Sequence, residues 1–155
     1  MVIDSKMIFN KYKTAVILCG GKGSRLGAIS KKIPKTLMKI QGKEILWYII
    51  KILQLNNFNH FILPLGYKGN LIKKFVIKNS YFRSNIELIE TGKDTSIGGR
   101  IYKIQKKIES NNFLLLNGDA IFDFNLKKIF KDHESRKYGS TFVTGESTYQ
   151  YGTIG

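Results

Sequence analysis

Three short clusters in this 155-residue chain combine residue types that could do chemistry. The first is Leu18-Cys19-Gly20-Gly21-Lys22-Gly23-Ser24-Arg25-Leu26, a glycine-rich turn directly after the apolar run Thr14-Ala15-Val16-Ile17-Leu18. Glycines 20, 21 and 23 let the backbone reach positive φ and approach an anion with no Cβ in the way. Successive N–H groups of such a turn can converge on phosphate oxygens. Lys22 and Arg25 add positive charge, the arginine as a two-pronged fork. The turn is not a Walker A loop, because the sequence contains no G-x-x-x-x-G-K-[ST]. It is not the dinucleotide fingerprint either, since Arg25 and Leu26 stand where the third glycine would be approached. A strand-to-loop turn with no ligand would use the same glycines.

Pro34-Lys35 forms the second cluster. Proline fixes the chain direction, and a lysine held there could neutralise a second phosphate or simply be solvated. The third is Asn117-Gly118-Asp119-Ala120-Ile121-Phe122-Asp123, which closes another apolar run. A carboxylate at that point suits Mg²⁺, which takes one or two carboxylates plus phosphate oxygens and water. It suits equally a cap on the following turn. Gly118 would let the backbone pass close to a bound ligand, and Asp123 would stabilise the next loop or helix start.

Something must bring these clusters together, and the periodicity supplies it. Short apolar runs at 14–18, 61–65, 86–89 and 113–116 alternate with amphipathic stretches at 44–55, 71–78 and around Ile101, Ile104 and Ile108. That alternation predicts βαβ units and a mostly parallel sheet in an α/β sandwich. A helix is expected over 126–135 and further strands over 141–144 and 151–154. The helix at 44–55 is apolar on most faces and is expected between layers, with Trp47 in the core. Residues 91–99 read as a polar loop, and lysines 103, 106 and 107 as the solvent face of the helix that follows. In such sheets the ligand crevice lies at the strands' carboxyl ends. Residues 19–25, 91–100 and 117–123 all fall after such ends.

With those motifs in hand, the chain resembles the sugar-1-phosphate nucleotidyltransferases. The pattern G-G-x-G-x-R-L, a short gap, then P-K and a hydrophobic strand matches residues 20–40. The segments Gly42-Lys43-Glu44-Ile45-Leu46-Trp47 and Gly66-Tyr67-Lys68-Gly69 look like the sugar branch. Thr91-Gly92-Lys93-Asp94-Thr95-Ser96-Ile97-Gly98-Gly99-Arg100 looks like the nucleotide loop of the glucose-1-phosphate cytidylyltransferases. The resemblance implies a Rossmann-like three-layer α/β/α sandwich with a mostly parallel, mixed sheet of the nucleotide-diphospho-sugar transferase type. It implies transfer of a nucleoside monophosphate from an NTP, CTP favoured, to a sugar 1-phosphate, releasing pyrophosphate. Such chemistry belongs to nucleotide-sugar and cell-surface polysaccharide biosynthesis. A guanylyltransferase acting on a heptose or mannose 1-phosphate is the alternative within the superfamily. By the same resemblance Arg25 and Lys35 are catalytic. Nucleotide binding falls to Leu18, Cys19, Gly20, Gly21, Lys22, Gly23, Ser24, Arg25, Lys35, Thr95, Arg100 and Gly118. Asp119 holds Mg²⁺.

Residues 1–13 are expected to be an N-terminal extension and 14–155 the N-terminal portion of a nucleotidyltransferase domain. The family draws a second carboxylate and most sugar contacts from beyond this region. Tyr149-Gln150-Tyr151-Gly152-Thr153-Ile154-Gly155 resembles the strand after its sheet crossover, with Gln150 where many relatives carry a basic residue. The expectation is a chain that binds nucleotide far better than it turns over. A truncated or non-catalytic nucleotide-binding module is the rival reading.

Composition bounds the remaining options. The formal net charge is +15, yet residues 1–86 hold 16 Lys/Arg against 2 Asp/Glu while residues 87–155 hold 10 against 9. A basic first half suits a polyanion site, although a coding bias toward Lys, Ile and Asn would give the same excess. Only four of the basic residues are Arg and no nucleic-acid-binding module is present, so nucleic acid is not an expected partner. The apolar runs are far shorter than the roughly 18 residues that span a bilayer, and the first residues do not read as a secretory signal. The single cysteine, Cys19, excludes a disulfide framework and reads as inert packing. A cytoplasmic enzyme is expected, and a homo-oligomer is compatible with the pattern. His60 and His133 have no carboxylate or histidine at ligand spacing and read as surface or loop residues. Tyr67, Phe75, Tyr81 and Phe82 read as core.

Overall fold

The computed structural model describes residues 14–21, 32–82, 85–110, 112–136 and 139–145. The chain divides into two compact units, residues 1–123 and 124–155.

The first unit holds strands β1 (Thr14–Leu18), β2 (Lys39–Ile40), β3 (Lys43–Glu44), β4 (His60–Leu65), β5 (Asn85–Glu90) and β6 (Leu114–Asn117). Its helices are α1 (Ile45–Leu55), α2 (Gly69–Lys78) and α3 (Ile97–Ile104). Among the described residues four strands form one parallel sheet in the order β5-β4-β1-β6. β2 and β3 form a separate antiparallel hairpin, turned by Gln41 and Gly42 at φ 47° and 84°.

The crossovers explain where a ligand can sit. β1 to β4 and β4 to β5 step to one side, whereas β5 to β6 crosses back past β1. Right-handed crossovers then put α3 on the opposite face from α1 and α2. Consistent with this, Ile104 of α3 packs with the register partners Val16 and Ile62. The alternate residues Ala15, Ile17, Phe61 and Leu63 are fully buried on the other side, as expected for a parallel sheet covered on both faces. The direction of travel reverses between β1 and β6. That switch point is where open α/β sheets bind ligands.

Several local expectations need correction. α1 buries one stripe (Ile45, Leu46, Ile49, Ile50, Leu53) rather than most of its faces. Trp47 is half-buried, edge-on to Tyr48 and flanked by the ammonium groups of Lys43 and Lys51. α3 begins at Ile97, inside the expected loop, because the Ser96 Oγ caps it by accepting from Gly99 N at 3.2 Å. It tightens at its end into a 3₁₀ turn, Gln105–Lys107. Phe75 and Phe82 are core residues, but Tyr67 is only half-buried, beside Lys68 and Lys93.

The second unit contains α4 (Leu126–Arg136), whose first turn is capped by Asn125 Oδ1 accepting from Lys128 N at 3.1 Å. Residues 141–144 are irregular rather than a strand. His133 Nδ1 lies 2.8 Å from Thr141 Oγ1, so this segment makes a side-chain contact with α4. The expected strand at 151–154 lies outside the described residues. No helix among the described residues is long and apolar enough to cross a membrane.

Candidate nucleotide site

A cleft of about 460 Å³ opens at the carboxyl edge of the sheet, where the ends of β1, β5 and β6 meet. That volume is in the range of ligand pockets. From β1 come Leu18, Cys19, Gly20 and Gly21; from the segment before β2, Pro34, Lys35 and Thr36. The loop after β5 and the start of α3 supply Lys93, Asp94, Thr95, Ser96, Ile97 and Arg100, and the end of β6 supplies Asn117 and Asp119.

The junction of β1 and β6 is set by register. Leu18 pairs with Asn117, and Gly118 N donates to Leu18 O at 3.0 Å. A Cβ at Gly118 would lie 2.7 Å from that carbonyl and 2.8 Å from Thr36 Cγ2. Glycine is therefore required here by close packing, and Gly118 sits behind the cleft rather than on its lining. Cys19 is buried against the same junction, and burial beside Asp119 pushes its thiol far above the usual range. It behaves as packing.

Pro34, at φ −66°, opens a 3₁₀ turn over Lys35–Leu37 that is closed by Leu37 N donating to Pro34 O at 2.9 Å. The turn buries Thr36 and carries Lys35 to the rim, where its Nζ lies 2.8 Å from Asp119 Oδ2. Both partners keep substantial exposure, 43% and 35% of the side chain. Two residues of opposite charge, 84 positions apart in sequence, thus face each other across the cleft mouth. Thr36 was not singled out by its sequence context. Its buried hydroxyl has no hydrogen-bond partner among the described residues.

The loop after β5 is fixed from within. Thr91 Oγ1 donates to Leu65 O at 2.6 Å, Thr95 Oγ1 to Thr91 O at 2.6 Å, and Lys103 Nζ to Thr91 O at 2.7 Å. Gly92 supplies the left-handed turn at φ 101°. Lys103 and Lys107 are exposed, as expected for the solvent face of α3 and the turn that follows it, and their ammonium ends also reach Thr91 O and, at 3.2 Å, Glu87. Arg100 lines the cleft yet is only 5% exposed. Its guanidinium donates to Leu65 O, Gly20 O and Lys93 O and to Thr91 Oγ1. Desolvation lowers its pKa.

Of the residues the sequence singled out, Leu18, Cys19, Gly20, Gly21, Lys35, Thr95, Arg100 and Asp119 line one cleft. Lys22, Gly23, Ser24 and Arg25 lie outside the described residues. Lys93, Asp94, Ser96 and Ile97 join the lining; they belong to the loop already noted, so their signal was present at the level of the segment. No group of three or more His, Cys, Asp or Glu side chains that could hold a metal occurs among the described residues. Asp119 at the end of β6 offers a carboxylate on the cleft lining, as does Asp94 in the loop after β5, and one or two carboxylates suit a cation that takes its other ligands from phosphate and water.

A glycine turn after the first strand and a cleft at the switch point, lined by Lys35, Lys93 and Arg100 as well as Asp94 and Asp119, define the ligand-binding edge of an open α/β sheet. The profile of the family described as Nucleotidyl transferase matches residues 14–154, and the chain belongs to that family. It is similar to a probable glucose-1-phosphate cytidylyltransferase of Bacillus subtilis, at 36% identity over 90% of this chain and 63% of the relative. It is also similar to the D-glycero-alpha-D-manno-heptose 1-phosphate guanylyltransferase of Aneurinibacillus thermoaerophilus, at 32% over 90% of this chain and 61% of the relative. Among solved structures, HddC from Yersinia pseudotuberculosis complexed with GMP-PN superposes with a TM-score of 0.70 at 34% identity, over 78% of this chain and 54% of that one. The sheet is thus of the nucleotide-diphospho-sugar transferase type. The chain spans less than two thirds of the length of these relatives.

Proposed function

We propose that this chain is the nucleotide-binding part of a sugar-1-phosphate nucleotidyltransferase, with CTP as the favoured nucleotide. The observation that carries the reading is the meeting of Lys35, Asp119 and the glycine turn around one cleft at the switch point.

The reaction needs no general base. A sugar phosphate has a second pKa of about 6 and is largely dianionic at pH 7. One of its oxygens attacks the α-phosphorus of the NTP, the bond to the β-phosphate oxygen breaks, and pyrophosphate leaves with the electron pair. The obstacle is repulsion, since two unit charges 4 Å apart cost about 4 kcal/mol at an effective dielectric of 20. Catalysis is then neutralisation and in-line alignment.

The amides of Gly20 and Gly21, with Lys22, Gly23, Ser24 and Arg25, take the β- and γ-phosphates. Lys35 bridges the α-phosphate and the incoming sugar phosphate. Thr95 contacts the nucleotide, and Arg100 adds a buried positive charge behind it. Asp119 would hold Mg²⁺, which when bound neutralises phosphate oxygens. The Lys35–Asp119 pair is exposed and worth no more than about 1 kcal/mol. Each partner can therefore be redirected, one to phosphate and one to cation, at little cost.

Guanine is the second reading, favoured by the heptose 1-phosphate guanylyltransferase relative and by the GMP-PN-bound neighbour. Titration of the 155-residue chain with the Mg²⁺ complexes of CTP, GTP, UTP and dTTP tests both. CTP binding tightest supports the proposal, GTP binding tightest selects the alternative, and binding of none refutes both. Pyrophosphate release with a sugar 1-phosphate is expected to be slow beside nucleotide binding.

A further inference from the structure

We propose that Arg100 is a positioning residue whose buried guanidinium orients the Gly20–Gly21 peptide so that the Gly21 N–H is presented to the nucleotide's phosphates. The inference rests on the nucleotide reading above and adds a device to it.

The Gly20 carbonyl accepts two hydrogen bonds, from Arg100 Nη2 at 3.0 Å and from Tyr67 N at 3.3 Å. A trans peptide is planar, and its C=O and N–H point in opposite directions. With the Gly20 oxygen held toward Arg100 and the end of β4, the Gly21 N–H is turned the other way. Gly21 lines the cleft, and a Cβ built on it meets nothing within 4 Å. A donor fixed in advance at an open anion site needs no reorganisation when charge arrives.

The guanidinium is itself immobilised from two further strand ends. It donates to Leu65 O at 2.9 Å at the end of β4, and to Thr91 Oγ1 at 2.5 Å and Lys93 O at 3.4 Å after β5. The glycines around it make an independent case. A Cβ at Gly20 would stand 2.8 Å from Arg100 Nε, and one at Gly66 would stand 2.5 and 2.6 Å from its two terminal nitrogens. Both positions are glycine because the planar group packs against them. A planar fork serving acceptors on three strand ends is geometry that lysine cannot reproduce.

Arg100→Lys keeps the charge and loses the fork. In the folded full chain its affinity for Mg·CTP, or for Mg·GTP if that binds tighter, is expected to fall at least tenfold. In glycine-¹⁵N-labelled protein, the Gly21 amide shift induced by inorganic tripolyphosphate is expected to shrink with it. Unchanged affinity together with an unchanged Gly21 shift overturns the proposal, whereas a merely structural role would move only the melting temperature. Gly20→Ala is expected to lower Tm in the wild type and to cost clearly less in an Arg100→Ala background; equal costs in the two backgrounds overturn the clamp. That coupling needs no ligand. It is therefore decided separately from the nucleotide reading, which fails only if the wild-type chain binds no NTP.

Discussion

The parallel sheet has a polar network at each of its two edges, and they are built to opposite rules. Toward the amino-terminal edge Thr14, His60 and Glu87 form a chain across β1, β4 and β5: Thr14 Oγ1 to His60 Nδ1 at 3.1 Å and His60 Nε2 to Glu87 Oε1 at 2.9 Å. Lys107 completes it at Glu87 Oε2. With Nε2–H donating to the carboxylate, Nδ1 accepts the threonine proton, so both ring nitrogens and both carboxylate oxygens are used. At the carboxyl edge the accounting is left open. Arg100 is buried with backbone carbonyls and one hydroxyl as its partners, Thr36 holds an unpartnered hydroxyl, and Lys35 and Asp119 meet at an exposed rim. A closed network spends its polar groups on stability. An open one holds charge and hydrogen-bonding capacity for something else.

The contrast breaks first at Lys35. Under the open-edge reading Lys35→Ala removes a charge-assisted contact to phosphate, worth about 1.5–3 kcal/mol, and NTP affinity should fall roughly tenfold to a hundredfold. The melting temperature should barely move, because the exposed ion pair contributes at most about 1 kcal/mol. Titration calorimetry beside thermal denaturation measures both. The opposite outcome, a large loss of Tm with intact affinity, would make this edge structural and erase the distinction.

The amino edge should answer with stability and not with binding. Glu87→Gln should destabilise the fold by about 1–3 kcal/mol, since it weakens a half-buried network, and leave nucleotide affinity unchanged. The pH dependence carries a sign. The hydrogen bond from His60, with Lys107 adding to it, lowers the Glu87 pKa below its ordinary 4.5. Between that ordinary value and the lower folded one, the unfolded chain binds more protons, so stability falls as pH falls through the window. The contribution is complete above the unfolded pKa and lost in acid. Urea denaturation at pH 7, 5 and 3.5 should show a steeper acid loss in the wild type than in Glu87→Gln.

How much of this was legible beforehand follows from distance along the chain. The strands, the glycine turn, and an aspartate at a strand end are local patterns, and β1, Lys35 and Asp119 could be read from them. The amino-edge chain could not, because His60 meets Glu87 27 residues on and Thr14 46 residues back. Spacing within one element gives no hint of such pairs. Arg100 shows the same limit. Its position in a nucleotide-like loop was evident, but its burial depends on the carbonyl of Gly20, 80 residues away. Trp47 departs from expectation for a further reason, since apolar character alone does not say which face of a helix meets the core. The irregular 141–144 segment has β-prone residues, and β preference without a paired neighbour does not make a strand.

The smallest effect separates the edges most cleanly, because one chemical change should have opposite signs. Thr36→Val removes a buried hydroxyl that has no partner among the described residues. Burying such a group costs about 1–3 kcal/mol by mutational measures, so its removal should raise Tm by a few degrees, at about 2–4 °C per kcal/mol for a chain of this size. Thr14→Val at the other edge deletes the hydroxyl that pairs with His60 Nδ1 at 3.1 Å. It should lower Tm by a similar amount, since a net hydrogen bond is worth about 1 kcal/mol. Paired calorimetric melts of the two variants suffice. Should both substitutions destabilise alike, the Thr36 hydroxyl has a partner in solution, such as an ordered water, and the carboxyl edge is less open than the contrast requires.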